Sequence, residues 1–310
     1  MSFLSPDRSE MESAADQGLA KGILRTVVYA DLFDFPLTLP EIHRYLTGHA
    51  APMVAIEECL LQDRRLGERL QSDPPYWFLT GRQELVELRR ERETYAQVLW
   101  RAAWRYGRLV ASIPFVRLVA VTGSLAVNNV LDPQDDIDYL VVTSSGRLWL
   151  ARGAAILVVH LARRAGIELC PNYVMAEGHL VLGMPSLYNA HELAQLVPLF
   201  GLGTYRRLYE SNPWMPTYLP NAAPREDQVC RVTGGLRASQ RLVEKALGGR
   251  IGDAVERWEQ ERKIPRLYQV ASKRGGVGVV YSANLCKGHV DDHAARVQRE
   301  YAARLAAQGM

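Results

Sequence analysis

The stretch VTGSLAVNNVLDPQDDIDYLVV, residues Val121 to Val142, sets the tightest limit on what this chain can fold into. Apolar residues lead into Gly123-Ser124, and a polar-spaced segment follows. Asp135, Asp136 and Asp138 then run into the apolar Tyr139-Leu140-Val141-Val142. Such a run reads as a buried strand, and unpaired carboxylates at its start are costly to remove from water. Asp136 and Asp138 are two residues apart, so a strand projects both from one face and sends Asp135 to the other. The turn-like Asp132-Pro133-Gln134-Asp135 accounts for Asp135 but not for Asp138, because Ile137 already begins the apolar run. Two neighbouring carboxylates repel, and each raises the pKa of the other unless a cation lies between them. Mg²⁺ is the natural counter-charge, since it takes one or two carboxylates and completes its shell with waters and substrate phosphates.

Gly123-Ser124 supplies the complementary half. The pair follows a strand and precedes a short helix, expected over Leu125 to Asn129. Gly123 lets another group approach the backbone closely, free N–H groups at the helix start suit phosphate oxygens, and Ser124 can donate its hydroxyl to them. Gly-Ser, a short helix, then Asp-x-Asp on an apolar strand resembles the signature of the DNA polymerase β-type nucleotidyltransferase superfamily, over roughly Val116 to Met175. The resemblance implies an NTP whose phosphates rest on Gly123 and Ser124. It also implies Mg²⁺, two ions in all, on Asp136, Asp138 and a third carboxylate from a later strand. In IELCPNYVM, alternation gives Glu168, Cys170 and Asn172 one face and Leu169 and Tyr173 the other. Glu168 is therefore the third carboxylate, as ligand or as the base for the acceptor, with Glu177 the runner-up. A Glu there departs from the commonest pattern, and a solvated edge residue is the plain alternative. The implied reaction moves a nucleoside monophosphate from the NTP to an acceptor oxygen and releases pyrophosphate.

The expected fold class is α+β: a nucleotidyltransferase core built on a small mixed sheet with flanking helices, a winged-helix-like domain before it and a helical region after it. Residues 1–18 are polar and aperiodic and are expected to form a disordered tail. Residues 19–82 hold three short helical patterns followed by PPYWFLTG, the order of a winged-helix module. Residues 83–113 form a connecting helix whose arginines are expected on a solvated face. The core is expected over 114–200, with LYNAHELAQLVPLFG read as helix and Asn189, His191 and Glu192 explained by capping. A mainly helical region follows over 201–310, with VGVVYSANLC as a late strand. Lys287 is carried as a phosphate contact, and His289 as a weaker one. A zinc site from Cys286, His289, Asp292 and His293 fits no standard spacing. Lys273-Arg274 before Gly275-Gly276 is a weaker phosphate-contacting loop.

Charge decides between partners. Lys21 to Arg82 holds seven Lys/Arg against eight Asp/Glu, and the helix that would enter a DNA groove carries Glu57 and Glu58 with no base. Phosphate contacts dominate DNA affinity, so nucleic acid is disfavoured and a small-molecule acceptor is expected. A winged-helix regulator with a nucleotide-sensing or inactive transferase domain is the alternative. The longest apolar run, GAAILVVHLA, is about half the roughly 20 residues a bilayer requires, and the N-terminus lacks a signal-peptide pattern. Scattered cysteines fit reduced thiols, so the expected location is cytoplasmic, without a membrane partner. A homodimer is left open.

Overall fold

The computed structural model describes residues 8–226, 234–273, 278–288 and 293–310. It is a mixed α+β structure with one three-stranded and one six-stranded sheet. The N-terminal part runs α1 (Arg8–Asp31), β1 (Leu37–Thr38), α2 (Leu39–Arg44), α3 (Met53–Gln62), α4 (Arg64–Gly67), β2 (Leu70–Asp73) and β3 (Tyr76–Leu79). Residues 8–18, expected as tail, belong to α1. The helices close on Ile23, Val27, Val28, Ile42, Leu46 and Ile56, and the small antiparallel sheet adds Leu37, Leu70 and Leu79. At the start of α2, Glu41 reaches back and accepts hydrogen bonds from the Thr38 N–H and hydroxyl, both at 2.9 Å. That pairing satisfies a helix end that would otherwise be open.

The connecting helix α5 (Leu85–Ala111) buries Val86, Ala96, Leu99, Ala103, Tyr106 and Val110 at helical spacing. Its arginines do not all face solvent. Arg89 and Arg92 are only 3 % and 7 % exposed. Arg89 donates to Glu93 at 2.6 Å, Glu41 at 2.8 Å and the Pro36 carbonyl at 3.1 Å. Its guanidinium also lies 3.8 Å from the centre of the Phe35 ring. Arg92 donates to the Phe33 and Asp34 carbonyls and to Asn129 Oδ1 at 2.9 Å. The planar guanidinium has enough donors to satisfy several carbonyls at once, which permits burial. Arg89 ties α5 to the N-terminal part, and Arg92 ties both to the loop that follows Gly123-Ser124.

The main chain of elements continues with β4 (Val116–Thr122), α6 (Gly123–Ala126), β5 (Ile137–Thr143), α7 (Leu148–Arg164), β6 (Leu169–Ala176), α8 (Leu187–Gln195), β7 (Val197–Phe200), α9 (Leu202–Glu210) and α10 (Met215–Tyr218). After these come α11 (Gly234–Leu247), α12 (Arg250–Lys273), β8 (Val280–Tyr281), β9 (Leu285–Lys287) and α13 (His293–Ala307). The six strands lie in the order β7-β4-β5-β6-β9-β8. β5 and β6 are parallel, joined by the crossover helix α7, and the other neighbours are antiparallel. Along β5, Ile137, Tyr139 and Val141 face a core shared with α5 and α7. Leu140 and Val142 face a second core with α8, α9 and α10. Asp138 lies on that second face, at the sheet margin.

Two expectations for this region change. LYNAHELAQLVPLFG is not one helix: α8 stops at Gln195, and Val197–Phe200 is an edge strand. Pro198 cannot donate to a helix ladder but is tolerated on a sheet edge, and all four strand residues are buried. The segment 201–310 is not separate from 114–200 either, because β9 pairs with β6 through Tyr173↔Lys287, Val174↔Cys286 and Met175↔Leu285. No helix among the described residues is long and apolar enough to cross a membrane.

Candidate active site

β4 ends at Thr122, directly opposite Asp138 in the register of the antiparallel pair. The next residue, Gly123, opens α6 with φ +69°, a conformation that costs any side-chain-bearing residue strain. Space forbids a side chain as well: a Cβ on Gly123 would lie 2.7 Å from Asp138 Oδ2. The glycine is therefore required because the carboxylate packs against the backbone at the turn. The sequence motif and the strand motif, fifteen residues apart in number, are one object in space.

Asp135 has the role of organising the loop. Its Oδ2 accepts from the Leu131 N–H at 3.1 Å and from the Ser124 hydroxyl at 3.4 Å, and its Oδ1 accepts from the Asp136 N–H at 3.0 Å. Asn128, at φ +57°, accepts from the Trp100 indole N–H at 2.7 Å and so anchors the same loop to α5. Asp136 and Asp138 are left as the carboxylates without a basic partner. One oxygen from each, together with Cys170 Sγ, fall within 4.8 Å of one another.

The electrostatics express the missing counter-charge. Burial first, and then Asp136, Glu192 and Asp135, push the Asp138 carboxyl from 3.8 up to about 8, against a hydrogen bond from the Asn172 amide. Burial and the neighbouring Asp135 also raise Asp136, which lies closer to solvent. Cys170, half-buried beside both carboxylates, is pushed up to about 12 and stays a thiol. Its S–H points at Asn172 Oδ1, whose Nδ2 in turn donates to Asp138 Oδ1. A hard divalent ion fits this donor set through the two carboxylates, whereas a protonated thiol adds little to it.

Glu168 is not one of the clustered ligand atoms, although its charge reaches Asp136 and Cys170. It precedes β6, is half-exposed and accepts from Arg163 at the end of α7, at 3.0 and 3.1 Å. That ion pair holds its carboxyl below the usual range. The strict alternation expected for IELCPNYVM fails because the register slips: Asp138 pairs with Cys170, but Leu140 pairs with Tyr173. One extra residue around Pro171 makes a bulge, so Leu169 and Tyr173 end on opposite faces and Asn172 turns onto Asp138. Glu177 is also engaged elsewhere, with Arg207 at 2.8 Å.

The carboxylate that does approach Asp138 is Glu192 on α8. It is near enough to raise Asp138, and burial raises its own carboxyl despite a Tyr188 hydrogen bond and the charge of Lys287. Lys287 on β9 stands 6.0 Å over the Tyr173 ring and shares a small cavity of about 90 Å³ with Glu192 and Tyr173. One turn from Glu192's partner Tyr188, His191 stacks on Tyr29 of α1, with ring centres 3.9 Å apart and a 9° tilt. Nothing local in LYNAHELAQ distinguishes these roles from helix capping, which Ser186 performs at 3.1 Å to the Asn189 N–H. Trp214 and Tyr218 pack on the second core. His289, Asp292 and Arg274, singled out in the sequence, lie outside the described residues. Comparisons with protein-family models, with curated proteins and with solved structures found no match, so the geometry alone carries the functional reading.

Proposed function

We propose that this protein is a Mg²⁺-dependent nucleotidyltransferase that moves a nucleoside monophosphate from an NTP to the oxygen of a small-molecule acceptor. The observation that carries it is the packing of Asp138 against Gly123 beside Asp136. It brings a pair of carboxylates without a basic partner against the Gly123-Ser124 turn, whose backbone suits phosphate oxygens. An ion bound by Asp136 and Asp138 would supply charge neutralisation and alignment of the triphosphate. The residues present suit one such ion, and a second would draw on Glu192 in place of Glu168.

In the proposed reaction the acceptor hydroxyl oxygen forms a bond to the α-phosphorus. The bond from that phosphorus to the α–β bridging oxygen breaks, and pyrophosphate leaves with the electron pair. Glu192 takes the hydroxyl proton; burial raises its carboxyl and makes it a stronger base than an exposed one. Tyr188 orients Glu192 through its hydroxyl, and Lys287 attracts phosphate oxygens from the side of Tyr173. Asn172 fixes the Asp138 rotamer. Ser124, already bonded to Asp135, presents its hydroxyl from a rigid loop.

The three-helix bundle with a small antiparallel sheet supports a winged-helix-like reading of the N-terminal part. Glu57 and Glu58 are exposed on α3, which argues against DNA and for a role inside the enzyme. The test is pyrophosphate release and labelled-adduct formation from each NTP with Mg²⁺ and pooled hydroxylated metabolites. Wild type should produce both, while Asp136→Asn and Asp138→Asn should produce neither. Equal turnover by the variants, or no turnover with any NTP together with equal NTP–Mg²⁺ binding by wild type and variants, overturns the reading.

A further inference from the structure

A cavity of about 520 Å³ opens above Asp138, in the range of pockets that enclose drug-sized ligands. Its floor is Thr122, Gly123, Ser124 and Asp138, and its opposite wall comes from the N-terminal part of the chain. α1 and the turn after it contribute Tyr29, Phe33, Phe35 and Leu37, and the loop past Ser124 adds Val127 and Leu131. Asp138 and Glu192 both line this space, and Asp34, Arg92 and Asn129 line it beside the rings of Phe33 and Phe35.

Three observations define the chemistry of an occupant. Arg92, a cation on the wall, donates through one nitrogen to the Phe33 and Asp34 carbonyls and to Asn129, while its Nε is buried without a hydrogen-bond partner. His191, 4 % exposed, has both ring nitrogens without a hydrogen-bond partner, and burial keeps it neutral. A neutral imidazole offers one donor and one acceptor, which is what a hydroxyl needs and what an apolar core leaves unmet. Glu192 also lines the smaller cavity that holds Lys287, so it stands between a cationic compartment suited to phosphates and the larger, ring-lined one.

We propose that the larger cavity is the acceptor site and that its occupant is a ring-bearing alcohol or phenol. Its hydroxyl lies at His191 and Glu192, and its ring lies among Tyr29, Phe33 and Phe35. The N-terminal part is then the acceptor-recognition half of the enzyme. The assignment of the occupant as acceptor rests on the transferase reading above; the site and its ligand chemistry do not.

The test uses the full chain and the fluorescence of 2-naphthol, a neutral ring alcohol, titrated without metal or nucleotide. Wild type should bind it saturably. Leu131→Trp fills the mouth at a position 69 % exposed, where folding tolerates the change. His191→Phe removes the two nitrogens but keeps a ring on Tyr29. Both should weaken binding by roughly tenfold or more. Leu157→Trp, equally exposed on α7 and far from the cavity, should bind as wild type. Absence of saturable binding, or equal binding by Leu131→Trp and wild type, overturns the site. Loss of ATP–Mg²⁺ affinity in Leu131→Trp with naphthol binding unchanged assigns the cavity to the nucleotide base and overturns the proposal too. Cavity-dependent naphthol binding with no transfer from any NTP keeps the ring-alcohol site and removes the transferase reading, so the two failures are distinct.

Discussion

Replacing Asp138 with Asn should stabilise the metal-free protein, and by an amount that grows with pH. The carboxyl titrates at about 8 in the folded chain against 3.8 in water. A raised folded pKa means that the native state holds the proton more tightly. Its contribution to stability is complete below the unfolded value of 3.8 and is lost progressively as pH rises to about 8. Each unit is worth ~1.4 kcal/mol, so the ceiling is about 6 kcal/mol. Titration shared with Asp136 and relaxation of the surrounding solvent reduce it to about 2–4 kcal/mol. Asparagine cannot ionise, keeps the shape and can still accept from Asn172. Urea unfolding in EDTA, followed by circular dichroism, should therefore give nearly equal stabilities at about pH 4 and a clear advantage for Asp138→Asn at about pH 9. Excess Mg²⁺ should erase or reverse the advantage, because the wild type alone gains a full ligand set. An advantage that does not vary with pH, or a variant less stable than wild type in EDTA at high pH, refutes the claim that Asp138 is a carboxylate in want of a cation.

Gly123→Ala should cost about 1–3 kcal/mol through its left-handed backbone and should abolish transfer by displacing Asp138, both measurable by urea unfolding and pyrophosphate release. Arg89→Ala should cost about 3–5 kcal/mol, because it strands Glu41 and the Pro36 carbonyl together; unfolding midpoints with Arg89→Lys as a partial rescue check this. Glu168→Gln should leave the unfolding midpoint and pyrophosphate release unchanged, since its partner is Arg163 on the surface. Glu192→Gln should suppress release while NTP–Mg²⁺ binding survives.

The parts of the site that the sequence makes legible are the ones held by local geometry. Gly123, Ser124, Asp136 and Asp138 lie on one β-turn-β unit, where spacing of two and a turn signal suffice. The α+β class follows for the same reason, from strands and helices whose periods are strong. Glu168 misleads because alternation says nothing of side-chain partners: it precedes β6 and pairs with Arg163, while the extra residue at Pro171 changes the phase only of Asn172 and Tyr173. Glu192 and His191 carry no local mark: their roles come from α8 lying over the second face of the sheet and against α1, which no short pattern encodes. Arg89 and Arg92 look like a solvated charge run until the carbonyls of the α1–β1 turn are brought to them. Val197–Phe200 is helical by continuity with α8 and a strand by tertiary pairing with β4.

The contact between α13 and α1 has a consequence for the order of events on the ribosome. Asp31 meets Arg304, Tyr301 donates to the Arg25 carbonyl at 3.2 Å, and His293 completes the cavity wall beside Tyr29. Asp31 and Arg304 are 273 residues apart. At about 5–20 residues per second of translation, the interval between them is on the order of 15–50 seconds. For that time the N-terminal helices exist without the surface that seals them, and Asp31 waits with Arg82 as its available counter-charge. The cavity is thus incomplete in the nascent chain: the groups of the Gly-Ser turn and β5 emerge early, but His293 at the start of α13 reaches its wall only later.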